Sequence, residues 1–370
     1  GGGVKRLFVP AALLGAVALV SLLLFWRGTD SSERYFTPPE GVNVTYFPAP
    51  REEGLPLIIS ATVDAGFMRP FLLAFQRHNP TVSLVYVQSR SGPFLKQALD
   101  SCHRDGMPAD IYLSASSDQL MRLANENCAQ SLPAFIGASA PGQAQWRNEV
   151  VAFTVEPAVF VFSKVTANAS GPVPTSHIAL LDWLRKLPPG SDRTGTYDIV
   201  ESADGYNFAA SDSRQASLYG RVLEGLGRSD IRLYCCSNVM VDAVARGEIR
   251  FAYNVQLSYA YAAQRAGSRI EVVVPRDYQA LQTLSFMVPV GARTPSVAER
   301  LAAFLVSGEA RELARDGLAQ PGQSPAIAKT HANQLLDKAL VTPLLLSLQD
   351  NARRNRLITE WRQAIVSPAQ

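Results

Sequence analysis

From residue 55 onward the apolar positions alternate between two periods. Short apolar runs of strand length give way to segments whose apolar residues recur at helical spacing, and the pair repeats. Leu57-Ile58-Ile59 reads as a strand, and Thr62-Val63-Asp64 makes the turn after it. Phe67, Phe71, Leu72 and Phe75 then mark a helix that His78-Asn79-Pro80 stops. Val82–Val87 is a second strand. Ser91-Gly92-Pro93 opens a helix running to about Cys102, with Pro93 suited to its first turn. Asp110–Leu113 is a third strand, and Ser116 with Gln119 forms a capping-box pair before a third helix. Three βα units in succession predict a parallel sheet with helices on its faces.

Val159–Phe162 reads as a strand leaving this unit for a second α/β series. That series comprises a helix around Trp183, a strand Tyr197–Val200, and helices over Ser213–Leu226 and Asn238–Ala245. A strand Arg250–Tyr253 and a helix Gln256–Ala266 complete it. Ile270–Val274 is a strong strand placed to carry the chain back, and the remainder from about Pro295 is largely helical. Residues 28–54, with Pro38, Pro39, Pro48 and Pro50 among Gly, Ser, Thr and Glu, read as an extended spacer.

Leu7–Trp26 is an uncharged apolar run preceded by Lys5 and Arg6, of a length suited to one membrane-spanning helix. Residues 1–27 are therefore a signal anchor or a signal peptide. The run is longer than a usual signal core and no Ala-x-Ala follows it, which favours retention. Under either reading the basic flank stays in the cytoplasm and the rest of the chain faces outward.

Composition narrows the function. The chain has 370 residues, 47% hydrophobic and 18% charged, with a net charge of +3 scattered along it. No basic stripe interleaved with aromatics stands out, so nucleic acid is not an expected partner. The four histidines are isolated, and no HExxH, Gly-x-Ser-x-Gly or P-loop is present, so neither an enzyme nor a cofactor is expected. Of the four cysteines, Cys102 and Cys128 end two helices flanking one strand and are placed to pair; two separate buried thiols are the alternative.

In such sheets ligands sit beyond the carboxyl ends of the strands, where helix N-termini present free N–H groups. The turns at those ends supply Thr62 and Asp64; Ser89, Arg90, Ser91 and Gly92; and Ser114, Ser116 and Ser117. The second series adds Tyr206, Asn207 and Arg214 in a turn spanning Ser202–Arg214, then Asn254 and Tyr259. Hydroxyls, amides and two guanidiniums suit an anion. The plainer reading of each is that Ser, Thr, Asp and Asn precede helices as caps. Tyrosines also bind ferric iron, but Tyr259 and Tyr261 would point about 200° apart on a helix.

These stretches resemble bacterial ABC-transporter solute-binding proteins, in the group that includes the ferric-iron and 2-aminoethylphosphonate binders. The likeness rests on "FMRPFLLAFQRHNP", "SRSGPFLKQAL" and "ADIYLSAS" in the first series. Further on it rests on "VMVDAVARGEIRFAYNV", "VVVP" and "RTPSVAERLAAFLVSGEARELA". The phosphoglycerate-transport regulatory proteins are a related branch. The resemblance implies a type II-like periplasmic-binding-protein fold, two α/β lobes with a hinge; the apolar run at Leu7–Trp26 adds one N-terminal transmembrane helix before it, where exported members usually show a cleavable signal. Lobe 1 is expected over 55–153 and lobe 2 over 154–275, with 276–370 returning to lobe 1 and packing C-terminal helices across both. It implies a small solute bound between the lobes, and an ABC permease or a sensor histidine kinase that reads the closure. Iron-binding members carry adjacent tyrosines where this chain has Tyr259-Ala260-Tyr261.

Overall fold

The computed structural model describes residues 42–51, 54–104, 109–167, 172–187 and 193–366. The apolar run at 7–26 and the spacer up to residue 41 lie outside the described residues. Among the described residues no helix is long and apolar enough to cross a membrane.

β1 (Asn43–Phe47) lies inside the stretch expected to be spacer, and corrects that expectation. Its alternating Val44 and Tyr46 sit in a ladder, antiparallel to β3, with Pro48 and Pro50 after the strand rather than within it. The βα units then follow as expected: β2 (Leu57–Ala61), α1 (Ala65–His78), β3 (Leu84–Gln88), α2 (Ser91–His103), β4 (Ile111–Ser114) and α3 (Ser117–Asn125). β2 is the centre of this parallel trio and all five of its residues are buried. Asp64 caps α1 by accepting from the N–H groups of Gly66 and Phe67 at 2.7 and 3.3 Å. Ser116 occupies the cap position of α3, but its side chain does not cap the helix, so the expected capping box is absent.

After α4 (Ala134–Ala138) and β5 (Gln145–Trp146) comes β6 (Val150–Ser163), fourteen residues, every one buried. A strand covered on both faces needs apolar residues throughout rather than at alternate positions, and VVAFTVEPAVFVFS nearly supplies that. Its first half pairs with β11, Val155 opposite Thr283; its second half pairs with β9 and β10, Val159 opposite Val255 and Val161 opposite Val272. Pro157, which cannot donate to a ladder, falls where the strand changes partners.

Past α5 (Lys164–Ala167) the second series contains α6 (His177–Lys186), β7 (Arg193–Tyr197), α7 (Ala203–Asp212), α8 (Ala216–Gly227), β8 (Asp230–Tyr234), α9 (Ser237–Ala245), β9 (Phe251–Gln256), α10 (Leu257–Arg265) and β10 (Ile270–Val273). The chain returns through β11 (Leu281–Met287), then α11 (Pro295–Leu305), α12 (Gly308–Leu318), α13 (Pro325–Leu336) and α14 (Asn351–Ile365). Strand order is β1-β3-β2-β4-β11-β6-β9-β7-β8. Three expectations change. The stretch 202–214 is the helix α7 followed by a short 3-10 turn, not a long turn, because Tyr206, Phe208, Ala209 and Ala210 bury one side of it. The strand expected at 197–200 ends at Tyr197. The returning strand is β11; Ile270–Val273 stays beside the second half of β6.

Two features join the halves besides β6. The returning segment is held by His177, whose N–H and ring Nδ1 engage the Asp277 carboxylate at 2.9 and 3.0 Å, and whose ring stacks on Tyr278. At the C-terminus, Gln349 donates to Asp118 on α3, while α14 lies on α8. A Cβ on Gly227 would stand 1.9 Å from the carbonyl oxygen of Ala364, so glycine is required for that approach.

Candidate functional site

The carboxyl ends of β2 and β3 face those of β7, β8 and β9 across a cleft of about 740 Å3, a size suited to a small molecule. It brings together Thr62, Asp64, Ser89, Arg90, Ser91, Gly92 and Tyr259. Ser202, Ser237, Asn238 and Gln256, from the strand-end turns that the sequence marks in the second series, join them, as do residues not expected at the site: Gln88 and Gln119 on one side, Glu201 and Asp204 on the other, and the consecutive Cys235 and Cys236. Most of these stand in or beside the strand-end turns, where the signal was present. Arg354 comes from α14, and nothing local marks it. A neighbouring crevice of about 610 Å3 between α1, α10 and α12 shares Asp64 and Tyr259, but Phe67, Phe71, Val155 and Leu318 make it largely apolar.

The polar supply of the cleft is uneven in a useful way. α2 and α9 enter it from opposite sides, and neither has a side-chain cap. Their first N–H groups therefore offer themselves to an acceptor, helped by the positive end of each helix dipole. Arg90 holds the cap position of α2 and is exposed. The buried Ser89 Oγ and Gln119 Oε1 stand in the same wall without a partner, which polar atoms in a finished core rarely do. Asp64, Glu201 and Asp204 add acceptors elsewhere in the lining. Burial pushes the Asp204 carboxyl up from its ordinary range, partly offset by the Gln282 amide donating at 3.0 Å. Behind them, burial pushes Glu156 up to about 7 although the Ser258 N–H donates to it at 2.8 Å. Burial also raises Tyr259.

Other expected site residues do different work. Ser114 Oγ shares a hydrogen bond with Thr62 Oγ1 at 3.1 Å and accepts from the Ser116 N–H. Ser116 Oγ accepts from the Asn207 amide at 3.2 Å, a bond between the two halves. Ser117 is buried against Thr283 and Ser285. Ser117, Asn207 and Arg214 line a separate cavity of about 220 Å3 near Lys338. Tyr206 lies on α7, not in a turn, with the Arg354 guanidinium 4.3 Å from its ring centre. Tyr261 is buried beside Arg265 and lines neither of the two spaces that Tyr259 lines. Among the described residues no cluster of three His, Cys, Asp or Glu side chains is placed to hold a metal ion.

Asn254 is buried and donates to Asp212 Oδ2 at 2.7 Å, beside the Tyr253 hydroxyl at 2.9 Å. Burial pushes Asp212 up to about 6. Asn254 has a φ of 61°, which asparagine tolerates and alanine resists. Its side chain is thus committed to a buried carboxylate and is not part of the cleft lining. Asn254→Ala should lose about 2 kcal/mol of stability, from the lost bond and the strained backbone, and Asn254→Gly about half as much. Thermal melts of both variants check this; equal losses would mean the backbone angle carries no part of it.

Both disulfides are formed. Cys102 and Cys128 are joined with a Cα separation of 5.6 Å, as the sequence allowed. Cys235–Cys236, which no sequence argument singled out, is the other.

Two mixed α/β lobes sharing one continuous strand, with a polar cleft between their strand ends, define a two-lobed periplasmic-binding-protein fold. The sequence profile of bacterial extracellular solute-binding proteins matches residues 57–317. The substrate-binding protein of an ABC transporter from Agrobacterium tumefaciens is 27% identical; 88% of this chain and 99% of that one superpose with a TM-score of 0.76. Iron-bound HitA from Pseudomonas aeruginosa, 18% identical over 84% of this chain and 100% of its own, has a TM-score of 0.63. AfuA from Actinobacillus pleuropneumoniae, with fructose-6-phosphate bound, is 16% identical over 84% and 99%, with a TM-score of 0.60. The last two show the fold alone. No curated protein matches the chain. The chain belongs to the bacterial extracellular solute-binding protein family, a family of binding proteins that work outside the cytoplasm and serve ABC transporters.

Proposed function

We propose that this protein captures a small solute carrying an anionic group and presents it to an ABC importer from the outer face of the inner membrane. The observation that carries the reading is the pair of uncapped helix N-termini, those of α2 and α9, entering one cleft from opposite lobes beside Arg90. An acceptor-rich group placed between them would satisfy both helices and thereby hold the lobes closed. Asp64, Glu201 and Asp204 in the same lining favour a solute that also carries hydroxyl or ammonium donors, not a bare anion. AfuA's bound fructose-6-phosphate is a solute of that description. The change of partners near Pro157 in β6 and the return of the chain through β11 support a lobe division at 154 and 276. The uncharged run at Leu7–Trp26 supports tethering to the membrane; N-terminal sequencing of protein from native membranes tests it, and a mature start near Thr29 would exclude the anchor.

A thermal-shift screen of organic acids, phosphonates, sugar phosphates and ferric salts identifies the solute. Arg90→Ala then tests the anion reading. Arg90 is exposed and has little to lose in the free protein, so its replacement should weaken binding more than tenfold while leaving the ligand-free melting temperature nearly unchanged; loss of one charged partner typically costs about 2 kcal/mol or more. Undiminished affinity by calorimetric titration removes Arg90 from the site. A solute that proves neutral or cationic removes the anion reading.

A further inference from the structure

We infer that the Cys235–Cys236 disulfide is part of the solute site, and that its oxidised state holds the N-terminus of α9 in the form that binds. This rests on the cleft being the solute site. The two residues follow β8 directly, and Cys236 is the N-cap of α9. Both line the cleft. A position where serine, threonine, aspartate or asparagine would ordinarily cap the helix is thus taken by a sulfur bonded to its neighbour, and the helix stays uncapped toward the ligand space.

The dipeptide is fixed on either side. Before it, the carbonyl of Tyr234 accepts from the Asp198 N–H at 2.9 Å. After it, Ser237 is buried, and its hydroxyl shares a hydrogen bond with Tyr197 OH at 2.5 Å and accepts from the Gln256 N–H at 2.8 Å. Ser237 Oγ is therefore engaged from behind. Between those anchors the disulfide closes a small ring containing the peptide bond, which removes the freedom the first N–H groups of α9 would otherwise have. Preorganised donors bind without an ordering cost. The sulfurs themselves give the cleft a polarisable, apolar edge, fit to lie against the carbon skeleton of a solute whose polar groups go to the helix N-termini and the carboxylates.

The bond is also open to chemistry. Cys235 is exposed, whereas Cys128 of the other disulfide is fully buried. A dithiol reductant would pass two electrons and two protons to Cys235–Cys236, leaving two thiols and itself becoming a cyclic disulfide. After that the α9 N-terminus has only its hydrogen-bonded anchors.

The test compares oxidised protein, protein treated with dithiothreitol, and the C235A/C236A variant. Peptide mapping after alkylation reports which disulfides are cut. Amide hydrogen exchange over residues 236–241 should quicken in both the reduced protein and the variant. Titration with citrate, 2-aminoethylphosphonate and fructose 6-phosphate should show about tenfold weaker binding of whichever probe the oxidised protein takes. Reduction should have no further effect on the variant. Unchanged exchange on reduction overturns the inference, as does unchanged affinity. If the oxidised protein binds none of these three probes, the solute found by thermal shift replaces them in the same titration, and unchanged exchange on reduction still overturns the inference. If dithiothreitol cuts Cys102–Cys128 as well, the variant, which keeps that bond, decides.

Discussion

Glu156→Gln is expected to stabilise the protein by about 3 kcal/mol at pH 7 and by less than about 1 kcal/mol at pH 5. Glu156 sits in the buried middle of β6, and burial raises its carboxyl from 4.5 to about 7. The folded state therefore holds a proton that the unfolded chain releases. The stability this group contributes is complete below pH 4.5 and is lost as pH rises through 7. Glutamine keeps an acceptor for the Ser258 N–H and never ionises, so its advantage grows over that window and is small below it. Asp118 and Asp212, each pushed by burial up to about 6, act in the same direction. The parent protein should accordingly melt at a lower temperature at pH 8 than at pH 5. Urea unfolding of parent and variant at the two pH values is the measurement. A stability difference that does not change with pH would mean that Glu156 is ionised in the folded protein.

Replacing Cys102 and Cys128 by alanine should cost about 3 kcal/mol, because the bond closes a loop of 26 residues in the unfolded chain. The disulfide ties the far end of α2 to the segment after α3, and the opposite ends of those helices form part of the cleft wall. Stability should therefore fall while solute affinity changes little. That pattern is the reverse of the one expected for Cys235 and Cys236, so the two double variants check each other. Denaturant melts giving equal stability with and without the Cys102–Cys128 bond would show that it constrains nothing in the unfolded chain.

The first βα units were legible because their signals are local: Asp64 caps α1, Pro93 opens α2, and each strand is a short apolar run. The edges were harder. β8 lies at the end of the sheet with Arg232 and Leu233 exposed, so its sequence DIRLY lacks the apolar run of a central strand. β1 was hidden by the prolines that follow it. β11 carries Gln282, Thr283 and Ser285 among its apolar residues, and these polar members are buried through tertiary contacts that no local pattern encodes, such as Gln282 with Gln256 and Asp204. α7 looked like a turn because Ser202, Gly205, Ser211 and Ser213 are turn formers, and burial against the sheet outweighed their propensity. The same division holds for the site. Thr62, Ser89 and Arg90 follow from strand-end position. Asn254 does not, because whether a strand-end amide meets ligand or a buried carboxylate depends on what packs behind it. Arg354 depends on where a helix near the end of the chain docks.

The continuity of β6 has a consequence for how the molecule assembles. Side chains on a strand change faces at every residue, so a slip of one position turns a whole ladder inside out. Here a single strand sets the register for both lobes, with Val155 fixed opposite Thr283 and, only four residues on, Val159 opposite Val255. An error of alignment on one side of Pro157 cannot be confined to that side. Lobe 1 cannot finish its sheet before the chain has returned through β11, since that strand supplies the neighbour of both β4 and the first half of β6. The first lobe therefore completes its sheet only after the chain has passed through the second.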